Sequence, residues 1–363
     1  MGHASDDYLD NTAGATQRND PVLVTGAAGF IGHATAHRLL ARGETVIGID
    51  IVNDYYDPAL KEARLATFDG KDGFLFLRAD IADAAQIAHI VRDNGVRRIV
   101  HLAAQAGVRY SIENPFAYER SNLAGHLAIL EASRHAPDFE HLVYASSSSV
   151  YGEQPMNGTG FSEDEPATDP VSLYAATKRS CELMSQAYGK LYGLAQTGLR
   201  FFTVYGPWGR PDMAYFGFTE KILRGAPIEI YGEGQMARDF TYIDDIVDGI
   251  LGALDHRPGC GEHRVLNIGD SRPVGLMDMI QMLEKTLDRQ ADKIMRPMQP
   301  GDVSTTYANI SKLNALCGYH PQVMLEDGLE HFVAWYRDYY HPDAGITDEP
   351  AQAARVDADQ PHP

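Results

Sequence analysis

Val22-Leu23-Val24-Thr25-Gly26-Ala27-Ala28-Gly29-Phe30-Ile31-Gly32 decides how this chain folds. Val22 to Thr25 reads as a short buried parallel strand, and a helical pattern follows the glycines as far as Gly43. Strand, glycine turn and helix, in that order, are what a dinucleotide requires. Gly26 is expected to permit the tight turn, Gly29 to let the backbone approach a pyrophosphate, and Gly32 to let the helix lie close on the sheet. The spacing is G-x-x-G-x-x-G rather than G-x-G-x-x-G. A second apolar run, Val46-Ile47-Gly48-Ile49, ends in Asp50, where a carboxylate accepts hydrogen bonds from the adenosine ribose and repels a 2′-phosphate, favouring NAD over NADP. A glycine turn alone is often merely structural; turn, helix, second strand and terminal acid together argue for the nucleotide.

The alternation continues outward from there. Phe74-Leu75-Phe76-Leu77, Arg98-Ile99-Val100-His101-Leu102, His141-Leu142-Val143-Tyr144-Ala145 and Gln196 to Phe202 read as strands. Helices are expected over Ala84 to Asn94, within Phe116 to Arg134 and around Tyr174. Near-continuous apolar strands alternating with helices predict an α/β fold, a doubly wound parallel sheet of the Rossmann type. Binding residues should lie at the strands' C-terminal ends. After Tyr205 the rhythm changes to Pro- and Gly-punctuated loops, short helices (Tyr215 to Arg224, Asp245 to Leu254, Leu276 to Leu287) and short strands such as Ile228 to Tyr231. The expected organisation is a nucleotide-binding domain over 21–205, interleaved with about 240–270, and a smaller C-terminal α/β substrate lobe over 206–340. Phe240-Thr241-Tyr242-Ile243-Asp244-Asp245 reads as a helix cap and Val265 to Ile268 as a returning sheet strand.

At 363 residues the chain is long enough for two lobes. Its net charge of −19 argues against nucleic-acid and anionic-membrane partners, which are normally met by a basic face. Residues 1–20 and the acidic 344–363 lack apolar periodicity and are expected to be disordered tails. No apolar run reaches the length of a membrane span and the N-terminus lacks a basic-then-apolar segment, so a soluble, cytoplasmic protein is expected. Cys181, Cys260 and Cys317 are scattered, fitting reduced thiols rather than a zinc site, and no metal is expected.

Tyr174-Ala175-Ala176-Thr177-Lys178 places a phenol and an ammonium one helical turn apart on one face. A phenol titrates near 10 and is a poor base at pH 7; a neighbouring ammonium and a cationic nicotinamide together favour the phenolate. Alone, the pair is far more often a solvated helix face. With the glycine turn and the run Ser146-Ser147-Ser148-Ser149-Val150-Tyr151-Gly152, the chain resembles the extended short-chain dehydrogenase/reductase family, in particular its nucleotide-sugar epimerases, over about residues 21–340. Asn53-Asp54-Tyr55-Tyr56-Asp57, Ala104-Gln105-Ala106-Gly107-Val108-Arg109-Tyr110 and Arg200 to Arg210 are similar to phrases of the group acting on UDP-glucuronate.

The resemblance implies that Ser147 is the catalytic hydroxyl, Tyr174 the base and Lys178 the supporting cation, which also bonds the nicotinamide ribose. It implies NAD contacts at Gly26, Gly29, Phe30, Ile31, Gly32, Asp50, Asp80, Ile81, Ala103 and Asn122, besides Tyr174 and Lys178. For the UDP-sugar substrate it points to Arg238 at the diphosphate, Asp302 at the uridine ribose, and Ser148, Ser149 and Arg210 at the sugar carboxylate, with Ser147 at the reacting hydroxyl. Each has an alternative: the serine run as a plain turn, Arg238 and Asp239 as a surface ion pair, Arg210 as solvated; Arg109 is similarly ambiguous. His101, inside a strand, reads as a satisfied core residue. Family members are commonly dimers through two long helices, so a homodimer is expected.

The implied reaction is oxidation at C4, turnover of the 4-keto sugar and return of the hydride, which inverts C4. Related dehydratases and UDP-glucuronate decarboxylases have acidic side chains beside the catalytic hydroxyl, where this chain has Ser148 and Ser149; neither serine is an acid at pH 7. That favours an epimerase, and the seryl hydroxyls with Arg210 favour an anionic sugar, hence epimerisation of UDP-glucuronate to UDP-galacturonate. A UDP-glucose 4-epimerase, a UDP-glucuronate decarboxylase and a non-catalytic NAD-binding regulator remain alternatives.

Overall fold

Residues 20–153, 158–298 and 305–341 are described by a computed structural model. In chain order the first part comprises β1 (Val22–Thr25), α1 (Phe30–Ala41), β2 (Val46–Asp50), α2 (Pro58–Ala66), β3 (Phe74–Arg78), α3 (Ala84–Asp93) and β4 (Arg98–His101). It continues through α4 (Tyr110–Glu113), α5 (Pro115–Tyr118), a π-helical turn (Glu119–Ala124), α6 (Gly125–His135), β5 (His141–Ser147), α7 (Leu173–Tyr192) and β6 (Gln196–Phe201). The second part holds β7 (Thr203–Tyr205), α8 (Ala214–Leu223), β8 (Ile228–Tyr231), β9 (Ala237–Tyr242), α9 (Ile243–Asp255) and β10 (His263–Ile268). It ends with β11 (Pro273–Gly275), α10 (Leu276–Leu287), β12 (Lys293–Arg296), β13 (Thr305–Thr306), α11 (Ser311–Cys317) and α12 (Leu325–Tyr340).

Every residue of β1 and β4 is buried, as expected of strands covered on both faces. They lie at the centre of a seven-stranded sheet ordered β10-β6-β5-β4-β1-β2-β3, all parallel. The order reverses between β1 and β4, which opens the crevice at their C-terminal ends where such sheets bind ligands. One core lies under α1 and α9, with Val24, Leu39 and Ile250; the other lies under α3 and α6, with Leu23, Ile87 and Ile129. Strand β10 returns to the sheet edge beside β6, as its apolar run suggested. A second sheet forms around β9, which pairs with β11, β13 and β7, while β8 pairs with β12.

Two local readings change. The helix expected within Phe116 to Arg134 is split into α5, the π turn and α6, and the wider turn carries Asn122 into the interior. Phe240 to Tyr242, read as a helix cap, are also strand: they are buried in β9 against β7, and the last of them, Tyr242, is the N-cap of α9, which begins at Ile243. The amphipathic α2 and α12 carried no sequence expectation; α12 buries Leu325, Leu329, Phe332, Val333 and Tyr336 along one face. No described helix is long and apolar enough to cross a membrane.

Candidate active site

The glycine turn closes on itself. Gly26 has φ +74°, and a Cβ there would lie 2.9 Å from Ala103 N. A Cβ on Gly32 would lie 2.0 Å from Gly26 O, so Gly32 is required for the first helical turn to pass over the turn's own carbonyl rather than for packing on the sheet. Gly29 caps α1 without a side chain, and the helical ladder starts with His33 N donating to Gly29 O at 2.9 Å. The amides of residues 30–32 therefore point out of the helix N-terminus, as a pyrophosphate requires. This cradle fits a dinucleotide.

The other expected cofactor residues follow the strand ends. Asp50 closes β2, and its carboxylate accepts from Ala28 N at 3.1 Å and Val52 N at 2.8 Å, which fixes it beside the turn. Asp80 follows β3, accepting from Ala82 N and pairing with Arg120 at 2.6 Å. Ile81 is buried against Gly125, where a Cβ would meet its Cδ1 at 2.6 Å. Ala103 N donates to Thr25 Oγ1 at 2.9 Å. Asn122 is 2% exposed and spends both amide hydrogens internally, on Gln105 O and Thr177 Oγ1, each at 3.0 Å. It also accepts from Gln105 N, so its side chain ties the loop after β4 to α7.

Sequence reasoning passed over Thr25, whose Oγ1 also accepts from Leu102 N and bonds His101 Nδ1 at 2.8 Å. Its hydroxyl residue type at the end of an otherwise apolar strand was the available signal. Burial drives His101 well below the usual histidine value, so the ring is neutral and satisfied, in keeping with a core role.

The end of β5 meets α7. Ser147 is buried, and its Oγ accepts from Ser149 N at 3.2 Å, leaving the hydroxyl hydrogen to donate outward. Ser172 caps α7, its side chain accepting from Ala175 N, and sets the helix entry just before the half-buried Tyr174. Lys178, 5% exposed, donates to Ala145 O at 2.9 Å, two residues before Ser147. One turn further, Glu182 accepts from Ser146 Oγ at 2.6 Å, from Arg200 Nε and Nη2 at 2.8 Å and from Arg179 at 2.7 Å. Burial pushes the Glu182 carboxyl up, but the guanidinium of Arg200 more than offsets this and holds it below the usual range. Tyr174, Lys178 and Glu182 recur at four-residue spacing, the signal that would have found Glu182.

On the sugar side, Ser148 and Ser149 open a single 3-10 turn at the end of β5 and are half-buried. Tyr118 packs edge-on to Tyr174, ring centroids 6.1 Å apart, and its hydroxyl donates to Ala106 O at 2.9 Å. Arg210 is half-buried and paired rather than free in solvent: it bonds Asp212 through Nε at 3.0 Å and Nη2 at 2.5 Å, and Tyr55 OH donates to the same carboxylate at 3.2 Å. Burial opposes ionisation of Asp212, but the Arg210 charge outweighs it and lowers the carboxyl's value. Tyr55 is raised by burial and by Asp212, so it stays a neutral donor. Arg238 donates to Ala237 O at 2.9 Å from β9, whereas Asp239 is fully buried and accepts from Asp270 N, Ser271 N and Ala308 N. A surface ion pair between them is thereby replaced by a buried carboxylate that ties β9 to two loops. Arg109 lies over the Tyr231 ring, 5.0 Å from its centroid, linking the loop after β4 to β8. Asp302, residues 1–19 and residues 344–363 lie outside the described residues, while Asp20, counted with the N-terminal tail, lies 3.7 Å from Arg98 Nε at the start of β4. Among the described residues no three His, Cys, Asp or Glu side chains gather as for a metal ion.

Residues 22–269 match the NAD dependent epimerase/dehydratase family. The chain belongs to that family. Its members are NAD-dependent, as the glycine cradle and Asp50 are built to serve. Within the family, UDP-glucuronate 4-epimerase 3 of Arabidopsis thaliana is 47% identical over 340 residues, 90% of this chain and 78% of that protein. The UDP-glucuronic acid 4-epimerase from Bacillus cereus, solved with UDP-glucuronic acid and NAD, is 36% identical with a TM-score of 0.82, covering 88% of this chain and 99% of that one. The UDP-glucose 4-epimerase of Thermotoga maritima, solved with UDP-glucose, is 29% identical with a TM-score of 0.79, covering 88% and 99%.

Proposed function

We propose that this member of the epimerase/dehydratase family is a nucleotide-sugar epimerase that inverts C4 of UDP-glucuronate, giving UDP-galacturonate through a 4-keto intermediate. The observation that carries this reading is the end of β5. Ser147 there is held by Ser149 N with its hydroxyl free to donate, and the adjoining turn presents Ser148 and Ser149 where elimination or decarboxylation calls for an acid. NAD, when bound, supplies the acceptor for the C4 hydride and returns it to the other face of the ketone. Tyr174 takes the proton from the C4 hydroxyl and gives it back after the sugar turns over. Ser147 donates to the same oxygen, and Lys178, anchored on Ala145 O, supplies the positive charge beside the phenolate.

Oxidised at C4, glucuronate is a β-keto acid, whose carboxylate can leave as CO₂ while the ketone takes up the electrons. Hydrogen bonds from Ser148, Ser149 and Arg210 hold that carboxylate in our reading and oppose its loss. Arg238 takes the diphosphate and Asp302 the uridine ribose. The cofactor is held by residues 21–205 with about 240–270, and the nucleotide sugar mainly by 206–340. A homodimer through α6 and α7 belongs to the same proposal, supported by the exposed Leu127, Leu183, Leu191 and Tyr192 on those helices.

Incubation of the purified protein with UDP-glucuronate, followed by mass spectrometry and sugar analysis, tests the reading. The expected product is UDP-galacturonate with almost no pentose. Abundant UDP-xylose or UDP-4-keto-pentose would make it a decarboxylase, and equal efficiency on UDP-glucose would make it an epimerase of neutral hexoses.

A further inference from the structure

Arg64, on α2, is 0% exposed, and its guanidinium reaches two separate parts of the site. Nη1 donates to Ala28 O at 2.9 Å and to Tyr56 OH at 2.7 Å. Nε and Nη2 donate to Trp208 O at 3.1 and 2.7 Å, and Nη2 also reaches Gly209 O at 3.0 Å. Ala28 lies in the glycine turn; Trp208 and Gly209 directly precede Arg210. One side chain thus joins the cofactor turn to the loop of the sugar-facing arginine. All four acceptors are neutral oxygens, an arrangement that is expensive for a buried charge. A geometric role accounts for it better than stability does.

The loop it holds is strained. Trp208 has φ +61°, a region bulky side chains rarely adopt and keep only where the surroundings over-determine it. Two nitrogens of Arg64 fasten its carbonyl, while its ring packs against His33, Trp335 and Tyr339 at centroid distances of 5.6, 5.3 and 5.3 Å. The fixed backbone then sets the direction in which Arg210 leaves. The segment after Asp50 completes the frame. Lys61 donates to Asn53 O at 2.7 Å and lies 4.5 Å over the Tyr56 ring, so Tyr56 is held where Arg64 meets it. Tyr55 next door restrains Asp212, and Asp212 restrains Arg210. The phrase Asn53-Asp54-Tyr55-Tyr56-Asp57, which carried a resemblance but no role, gains one here.

We propose that Arg64 is a positioning residue: it locks the loop from Trp208 to Asp212 to the cofactor turn and thereby aims Arg210 at the sugar carboxylate. This rests on the reading that Arg210 meets that carboxylate. A lysine keeps the charge but lacks the planar fork that spans four acceptors.

The test measures KM and kcat for UDP-glucuronate and the competitive inhibition constant of UDP-glucose in the unmodified enzyme, Arg64→Lys, Arg210→Ala and the double variant. Arg64→Lys is expected to raise the KM for UDP-glucuronate about tenfold, with the UDP-glucose constant within about twofold and kcat within about threefold. The double variant should select no worse than Arg210→Ala alone, since both changes remove one interaction. A collapsed selectivity in Arg210→Ala beside an intact one in Arg64→Lys overturns the coupling alone. An intact selectivity in Arg210→Ala overturns the carboxylate reading, and if Arg64→Lys still shifts it, Arg64 acts by another route and the inference falls too. Additive losses in the double variant, or weakening of both ligands alike, also overturn it. Should Arg64→Lys not fold, Tyr56→Phe removes one acceptor and keeps the ring; a shift of about two- to threefold in the same direction is expected, and no shift overturns the proposal.

Discussion

Residues 26–32 and 206–212 are both glycine-containing turns at the ends of strands, joined through Arg64, and they are held by different means. In the first most restraints are backbone: Gly26 N and Ala27 N donate to Ile49 O at 2.8 and 3.1 Å, Gly29 N donates to Gly26 O, and missing Cβ atoms leave room for the helix to close, with Asp50 and Arg64 adding side-chain bonds at Ala28 alone. The second has a matching backbone bond, Gly209 N to Gly206 O at 3.1 Å, but adds a chain of ionised or long side chains: Arg64 on two carbonyls, Asp212 on Arg210, Tyr55 on Asp212. The polar groups beneath follow the same division. At the C-terminal ends of β1 and β4 they are Thr25, His101 and His126, and the charged Arg98 lies at the other end of β4, paired with Glu44 at 2.8 Å; the C-terminal ends of β5 and β6 instead meet the charged Glu182, Arg179 and Arg200. A turn closed mostly by its own backbone presents amides to a ligand with little help from distant side chains. A turn held by charge depends on partners supplied from elsewhere in the fold.

The largest expected effect lies at Tyr174. Tyr174→Phe should lower turnover by at least about 10²-fold with substrate affinity little changed, the span for removing a general base. Steady-state kinetics on UDP-glucuronate decide this, and near-normal turnover would place the base elsewhere. The backbone-built side is broken at Gly32. Gly32→Ala puts a methyl against Gly26 O and should cut NAD retention by roughly tenfold or more, as judged by nucleotide released on denaturation, with a lower Tm. Full retention in that variant would remove the close approach from the account.

The smallest effect per residue separates the neutral from the charged groups by pH. Burial lowers His33 to about 2, His126 to about 3 and His141 to about 4, and holds His101 well below its usual value. Between those values and 6.5 the unfolded chain binds protons that the folded protein does not, so stability falls as pH falls below the unfolded value. From pH 7 to pH 6 each such histidine should cost about 0.7 kcal/mol. Glu182 and Asp212, held below the carboxylate range, contribute no loss until far more acid conditions. Urea midpoints at pH 7 and pH 6 check this; equal midpoints would mean that the histidines are not buried neutral.

The sequence by itself carried the parallel sheet, the cofactor turn and the Tyr174–Lys178 pair, because each is written in residues close together. A strand shows as an apolar run, a turn as glycines at fixed offsets, and a helix face as a four-residue step, all set by local backbone geometry. It also marked Ser147, Asp50 and Arg210 as positions of interest. Tertiary structure alone decided what those positions are bonded to. That Asn122 turns inward, that Arg210 is paired with Asp212 and Tyr55, that Asp239 is buried rather than a surface partner of Arg238, and that Arg64 spans 144 residues to Trp208 depend on contacts between distant segments. Such partners are chosen by the way strands and loops assemble, and no local periodicity encodes them.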